Sequence, residues 1–158
     1  MTDSASNDFC IATLVTDKAI KAMLDGSGSG IYKDDQPWLI ARDLLESAHD
    51  AKRQMPILFA VTKPAEPAYF SHWSTIKEIE VITLHKGLWA TRCHFNPLQS
   101  VNPIFEFIDS IYIKPSAEQL ARELKEGLRK SRQSLQENQL YPYAICETPA
   151  FIAEALSV

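Results

Sequence analysis

Short apolar runs and amphipathic segments alternate in the first third of the chain. Residues 9–15, FCIATLV, form an apolar run typical of a buried strand. Residues 17–24 and 35–54 both place their apolar side chains at helical spacing, and Asp35 and Pro37 are typical of the start of the second helix. The pattern therefore predicts a strand followed by two helices.

The segment between those helices, residues 25–35, is rich in glycine and serine. It holds three of the chain's five glycines, Gly26, Gly28 and Gly30, so we expect a mobile loop without a packed core. The segment lacks the Gly-Lys-Ser/Thr ending of a phosphate-binding loop and follows a helix instead of a strand. We therefore interpret it as a flexible connection.

Beyond residue 55 the pattern changes to runs typical of strands. Apolar or alternating segments are separated by turn residues such as His85-Lys86-Gly87. Mostly antiparallel strands joined by short turns predict a curled antiparallel sheet or a small β-barrel. The predicted strands are residues 56–61, 69–76, 78–84, 88–95 and 108–113.

The last quarter of the chain predicts helices. Ser116 and Gln119 have capping-box spacing, and apolar residues from 117 to 135 form one stripe, which predicts a long amphipathic helix after the strands. Thr148 and Pro149 predict the start of a short terminal helix. The expected fold class is therefore α+β, with helices flanking the strands.

The composition is that of a globular protein with one core. The 158 residues are 46% hydrophobic and 23% charged, close to the averages of soluble domains. We expect one domain over residues 1–158, with a core at 9–114 and a helical C-terminal extension at 115–158. No segment approaches the roughly twenty apolar residues of a membrane helix, and the N-terminal residues are polar and acidic. We therefore expect a cytoplasmic protein with no membrane partner.

Cysteine and histidine positions do not support a disulfide, a metal site or a catalytic set. Cys10, Cys93 and Cys146 are far apart and have apolar neighbours, which predicts reduced, buried thiols. No C-x-x-C or H-E-x-x-H spacing is present, so we predict no metal and no cofactor; the alternative is a metal site assembled from residues that are distant in the sequence. No Gly-x-Ser-x-Gly motif is present, and Cys93 and His94 are adjacent on a predicted strand, which points them to opposite faces.

The charge distribution restricts how nucleic acid could be bound. A formal net charge of −4 disfavours a basic footprint over the whole surface. A local basic run on the long predicted helix supplies candidate phosphate contacts, Arg129, Lys130 and Arg132. Glutamates interleave with the basic residues of this helix, so ordinary pairing along a solvated face is the alternative interpretation.

The densest group of candidate functional side chains lies at residues 69–74, YFSHWS. Its aromatic, hydroxyl and imidazole groups could stack on a nucleobase and hydrogen-bond to it, with Ser71, His72 and Trp73 as candidate ligand-binding residues. On a regular strand, Phe70 and Trp73 would face opposite sides. The alternative is that the aromatic residues belong to the core and that His72 is a structural histidine.

A strand, two helices and a strand-rich core follow one another over residues 9–114. Within that core, residues 57–60, ILFA, are followed by residues 73–81, WSTIKEIEV. This order of elements and the pattern of apolar and polar residues in these two segments resemble the PUA-like superfamily, particularly its ASCH and EVE branches. The resemblance implies a small barrel with a pocket for a nucleobase, often a modified one, or for an RNA element.

The resemblance also implies roles for individual residues. Trp73 and Trp89 would be stacking candidates, and Ser71 and Arg92 would be polar contacts on the same sheet. The Gly-x-Lys signature of ASCH domains has no counterpart at residues 26–28, GSG. The resemblance therefore implies binding and not ASCH-type catalysis.

Together these observations favour a non-catalytic module that binds nucleic acid or a modified nucleobase, with RNA or modified DNA as its partner. Two alternatives stay open. The first is an interaction protein, such as a homodimer, formed through the long helix or through the apolar residues 150–156. The second is a small amidohydrolase acting on a nucleoside-like substrate, which would need a carboxylate, lysine or hydroxyl with a perturbed pKa in the pocket.

Overall fold

A mixed sheet of seven strands is the framework of the protein. The computed structural model describes residues 5–25, 30–115, 117–127 and 133–157. The strands are β1 (Phe9–Thr16), β2 (Gly30–Asp34), β3 (Pro56–Lys63), β4 (Glu66–Thr83), β5 (Trp89–Phe95), β6 (Gln99–Ser100) and β7 (Ala144–Glu147). The helices are α1 (Asp17–Asp25), α2 (Leu39–Asp50), α3 (Ala117–Glu126) and α4 (Ala150–Leu156).

The strand order shows an open sheet. It runs β2-β5-β4-β3-β1-β7, and the short β6 pairs with β4. β1 and β3 are parallel, and the other pairs are antiparallel. The α+β class is confirmed, but the closed barrel that the sequence predicts as one alternative is wrong. β2 and β7, which no sequence pattern predicts, occupy the two edges that a barrel would join.

β4 is 18 residues long and joins two halves of the sheet. Its residues 66–75 pair with β3, and its residues 76–83 pair with β5. The register passes over Ser71 opposite β3 and over Lys77 opposite β5, so each is the extra residue of a β-bulge. Because bulges bend a strand and change which residues lie opposite each other, they allow β4 to pair with β3 along one part of its length and with β5 along the other.

The sheet separates two hydrophobic cores, because β3 is buried on both faces. Leu58 and Ala60 belong to the first core, which α4 covers through Ile152. Ile57 and Phe59 belong to the second core, where side chains of α1 and α2 pack against β4 and β5. A continuous apolar run such as residues 56–61 is what a strand buried on both faces requires.

α3 ends at Glu126, well before the end of the predicted helix. Gly127 follows with a φ of +64°, a left-handed conformation that commonly terminates helices. Ser134 forms a β-bridge with Tyr112, and Leu135 is fully buried in the first core. Leu135 is therefore not helical, contrary to the stripe read from the sequence, and the predicted capping residue Ser116 lies outside the described residues.

The segment 115–158, expected as a helical extension, also contributes to the sheet. β7 pairs with β1 over four positions, from Phe9 opposite Glu147 to Ala12 opposite Ala144. Together with α4, it completes the first core. The C-terminal segment therefore packs as part of the same framework as the N-terminal strands.

Residues 30–34, expected to lie in a mobile loop, form β2 along β5. The pairing starts with Gly30 opposite Phe95. A Cβ atom on Gly30 would lie 2.7 Å from the Phe95 ring, so the absence of a side chain permits this close approach. Residues 26–29 of the predicted loop lie outside the described part of the chain.

The strand predicted at residues 108–113 is interrupted. Ile108–Ser110 form a 3₁₀ turn, and Tyr112 and Ile113 form isolated β-bridges. The prediction of a continuous strand is wrong, because the turn's local hydrogen bonds replace the pairing of its first half.

The three cysteines are free and buried, as predicted. Cys10 and Cys146 lie in the first core and Cys93 lies in the second. None of the helices in the described ranges is long and apolar enough to cross a membrane.

Candidate functional site

The first β-bulge of β4 places the predicted ligand-binding residues. Because Ser71 is the extra residue, Phe70 and Trp73 both lie in the first core. The expectation that these two rings face opposite sides is wrong, since it assumes unbroken alternation along the strand. The bulge therefore places Phe70 and Trp73 on the same face, whereas Tyr69 packs against the second core.

Ser71 and His72 contact each other at this bulge. The Ser71 hydroxyl lies 2.9 Å from His72 Nδ1, within hydrogen-bond distance. Burial lowers the pKa of His72, which favours the neutral imidazole. The Ser71 carbonyl accepts the Val101 N–H at 3.1 Å, so the same bulge holds the segment after β6 against β4.

Trp73 is a core residue that reaches the surface with a small part of its ring. It is 6% exposed. Its ring meets Phe151 of α4 edge to face, with the centroids 6.5 Å apart, and Phe151 in turn contacts Phe105 at 5.0 Å. This arrangement supports the interpretation of Trp73 as a core aromatic residue and limits it as a stacking platform.

A cleft opens above Trp73, between β6 and α4. Its volume is about 680 Å³, and we call it the Trp73 cleft. β6 reaches it because Gln99 pairs with Trp73 and Ser100 pairs with His72. The lining residues are Trp73, Gln99, Ser100, Val101, Asn102, Pro103, Phe151, Glu154 and Ala155.

The polar groups of the Trp73 cleft are mainly neutral. Asn102 Oδ1 accepts the Ile104 N–H at 3.1 Å, which leaves its amide nitrogen as the group that could donate to a ligand. Gln99 and Ser100 are exposed and add an amide and a hydroxyl. Among the described lining residues, Glu154 is the one ionisable side chain, so the basic rim expected for a phosphate-binding pocket is missing there.

Trp89 and Arg92 lie in the other half of the sheet. Trp89 starts β5 opposite Thr83 and is 36% exposed. Arg92 is exposed, and its backbone lies between Lys33 of β2 and Glu80 of β4. The structure therefore does not bring these two residues to Ser71, His72 and Trp73. The predicted phosphate contacts Arg129, Lys130 and Arg132 lie outside the described residues.

Most of the cleft was not identified from the sequence. Gln99 and Asn102 belong to a proline-punctuated stretch without periodicity, which indicates a connection and not a site. Phe151 and Glu154 belong to a segment whose apolar texture suggested an interaction surface. In the folded chain Ile152 of that segment is fully buried, so the apolar face of α4 packs on the sheet.

Two other clefts are less suited to a ligand with hydrogen-bonding edges. In the first, of about 490 Å³, the polar groups of Tyr143 and Gln139 serve the fold, because they accept backbone N–H groups at 3.2 and 2.8 Å. The second, of about 480 Å³, combines the Tyr69 and Phe107 rings with two glutamates. Neither is lined by both two aromatic rings and two amide side chains, as the Trp73 cleft is.

A separate cluster of metal-ligating side chains lies on paired strands β4 and β5. It consists of Glu78, Glu80 and His94, whose ligand atoms all lie within 4.8 Å of one another. His94 Nε2 contacts Glu80 Oε1, and the side chains of Glu80 and His94 are 37% and 28% exposed. Sequence spacing did not indicate this cluster, because its members come from two strands that only the fold brings together.

No protein-family model, no curated protein and no solved structure matches the chain in the three comparisons. Function is therefore argued from the residues of the site and their geometry.

Proposed function

We propose that the protein is a non-catalytic binding module that holds a nucleobase or nucleoside in the Trp73 cleft. The observation that carries this proposal is that the half-buried Phe151 ring and the small exposed part of the Trp73 ring line one cleft with the amides of Gln99 and Asn102. A nucleobase presents an apolar ring and an edge of hydrogen-bond donors and acceptors. Aromatic side chains and amides are the groups that recognise these two features.

The size of the cleft supports a ligand of this class. Ligand pockets commonly measure about 300–1,000 Å³, and the Trp73 cleft measures about 680 Å³. A nucleoside fits within such a volume, whereas a double helix does not. Ser100 at the β6 edge would hydrogen-bond to a sugar or base hydroxyl.

The charge of the cleft favours a ligand without phosphate at this point. Glu154 would repel a phosphate group, and no lysine or arginine is among the described lining residues. RNA or modified DNA therefore remains a partner in this proposal only through a base that enters the cleft while its phosphates stay outside. The PUA-like resemblance is compatible with such a ligand, and the proposal does not depend on it.

Hydrolysis of a nucleoside-like amide is less well supported. Glu154 supplies a carboxylate, but the contacting hydroxyl and imidazole, Ser71 and His72, are not among the residues that line the cleft. A nucleophile and its base must lie together at the reacting atom. Binding therefore accounts for the arrangement of side chains better than catalysis does.

A second candidate function is contact with another protein chain. Ile104 and Phe107, three residues apart in the segment that follows β6, are 75% and 62% exposed. Exposed large apolar side chains that lie close together commonly mark interaction surfaces. A homodimer through the apolar face of α4 is not favoured, because Ile152 is buried within the chain.

The proposal is tested by titrating adenosine, guanosine, cytidine and uridine, and then single-stranded RNA and DNA, into the ¹⁵N-labelled protein. We expect saturable shifts of backbone amides around β6 and α4 for at least one nucleoside. Gln99→Met removes the amide and keeps the side-chain length, so it should weaken binding. Gln133→Met makes the same change at an exposed position that does not line the cleft.

Two results would overturn the proposal. One is the absence of saturable shifts with all four nucleosides and with both nucleic acids. The other is binding that Gln99→Met and Gln133→Met affect equally. Shifts centred on Ile104 and Phe107 in the presence of a protein partner would instead favour the second candidate.

A further inference from the structure

The Glu78, Glu80 and His94 cluster lies apart from the Trp73 cleft and has the chemistry of a metal site. Glu78 is directly opposite His94, and Glu80 follows two positions along β4, so the three side chains share one face of the β4–β5 pair. That face is opposite the second core, which takes Ile79 and Cys93 from the same strands. The cluster is therefore open to solvent and built on two hydrogen-bonded strands.

The second β-bulge of β4 creates this arrangement. Ile76 pairs with Phe95, and the next pair is Glu78 with His94, so the register passes over Lys77. Without the bulge, Lys77 would lie opposite His94 and place a cation beside the imidazole. The bulge replaces that lysine with a carboxylate and so completes a set of two oxygen ligands and one nitrogen ligand.

An ion pair alone does not account for all three groups. Glu80 and His94 form a pair by themselves. Glu78 then brings a second carboxylate within 4.8 Å of the first, and like charges at this distance repel each other. Arg92 lies directly opposite Glu80, Lys33 lies opposite Arg92 on β2, and these two cations partly offset the charge. A divalent cation held between the carboxylates and the imidazole would compensate it directly.

The donor set indicates the class of ion. Imidazole suits zinc and other first-row transition metals, whereas Mg²⁺ and Ca²⁺ prefer oxygen ligands throughout. In tetrahedral coordination, two ligand atoms of one zinc ion lie roughly 3.3–3.6 Å apart, because each bond is about 2.0–2.2 Å long. The three ligand atoms of the cluster lie within 4.8 Å of one another, so binding would require a change of side-chain rotamer, which the exposed Glu78 side chain permits.

We propose that Glu78, Glu80 and His94 bind one first-row divalent cation such as Zn²⁺, with the remaining coordination positions open to water or to an anionic ligand. A histidine that binds a metal does so as the neutral imidazole, so in the bound state the two carboxylates would balance the charge of a divalent ion. The site is independent of the nucleoside-binding proposal, because none of the three ligands lines the Trp73 cleft.

The test is calorimetric titration of the intact chain with ZnCl₂ in a buffer that does not chelate zinc. We expect one equivalent to bind. His94→Gln and Glu80→Gln should each weaken binding by at least about tenfold, because mutating even the hydrogen-bond partner of a metal ligand typically lowers metal affinity by about 10–100-fold. His49→Gln is the control, because His49 is an exposed histidine that lies on α2 and does not belong to the cluster. Circular dichroism of each variant reports whether it is folded.

A second measurement needs no variant. Mn²⁺ added to the unaltered protein should broaden the imidazole resonances of His94 before those of His49, His72 and His85. Absence of stoichiometric Zn²⁺ binding, equal loss of affinity in His49→Gln and His94→Gln, or uniform broadening of all four histidines would overturn the proposal.

Discussion

Cys10 and Cys146 lie directly opposite each other on the antiparallel pair β1–β7. Both side chains are fully buried in the first core. Burial raises the pKa of Cys10 well above its ordinary value, and it raises the pKa of Cys146 to about 12. Burial in the second core likewise raises the pKa of Cys93 to about 12. In the folded protein the thiols are therefore protonated and shielded.

The first prediction concerns thiol reactivity. Because the thiolate is the reactive form, we expect iodoacetamide at mildly alkaline pH to label the folded protein only as fast as it unfolds. In guanidinium chloride all three cysteines should react quickly. Mass spectrometry of quenched samples measures both rates. Rapid labelling of Cys146 under native conditions would contradict the buried β1–β7 pair.

The second prediction concerns the close approach of β2 to β5. Gly30→Ala would place a methyl group 2.7 Å from the Phe95 ring, so we expect it to lower the free energy of unfolding. Overpacking of this kind costs about 1–3 kcal/mol. Urea denaturation of the variant and of the unaltered protein measures this difference in the free energy of unfolding.

A double-mutant cycle serves as its control. Phe95→Leu removes the ring that the new methyl group meets, so the two substitutions together should cost less than the sum of their separate effects. Strict additivity would show that Gly30 and Phe95 are not in contact.

The third prediction concerns the contribution of Trp73 to stability. Since Trp73 is 6% exposed and packs on Phe151, Trp73→Ala should destabilise the protein by about 3–5 kcal/mol through a cavity in the first core. Trp89→Ala changes the same residue type at a position that is 36% exposed, and it should cost less. Thermal and urea unfolding of both variants measure the difference. Equal destabilisation would contradict the core placement of Trp73.

The fourth prediction concerns the pH dependence contributed by Asp34. The Trp38 indole N–H donates to Asp34 Oδ2 at 2.7 Å, yet burial is the larger effect and raises the pKa of this carboxyl. A raised pKa in the folded state means that the contribution of Asp34 to stability is full below its unfolded pKa, about 3.9. That contribution is lost as the pH rises through the folded value.

Asp34→Asn tests this sign, because asparagine keeps an acceptor for Trp38 and does not ionise. We expect the variant to gain stability relative to the unaltered protein when the pH is raised from about 4 to neutrality. Asp109→Asn, at an exposed position, is the comparison. Urea unfolding at both pH values gives the free energy of unfolding of each variant relative to the unaltered protein, which is four differences for two variants. A relative loss of stability in Asp34→Asn at neutral pH would reverse the assignment.

The longer apolar patterns predicted much of the fold. β1, α1, α2, β3 and β5 lie close to their predicted positions because their side chains repeat with a clear period. β2 and β7 have 5 and 4 residues, and their formation depends on strands already present in the sheet. Because contacts with distant strands determine this pairing, the local sequence of β2 and β7 does not predict it.

The site was less predictable than the fold. Ser71, His72 and Trp73 were identified as a group, but the bulge at Ser71 changed which way the rings face. Gln99 enters the cleft through a strand of two residues, too short for any periodicity. The cluster of Glu78, Glu80 and His94 likewise depends on the register shift at Lys77. The spacing of residues along the sequence does not reveal that shift.

The pairing of β1 with β7 has a consequence for synthesis of the chain. β1 receives β3 as a neighbour when residues 56–63 have emerged from the ribosome, but its other edge is completed only by residues 144–147. An unpaired strand edge invites association with other chains. The nascent protein therefore carries an open edge on β1 until residues 144–147 have emerged, and the rate of closing this long-range pair should limit how quickly the first core becomes complete.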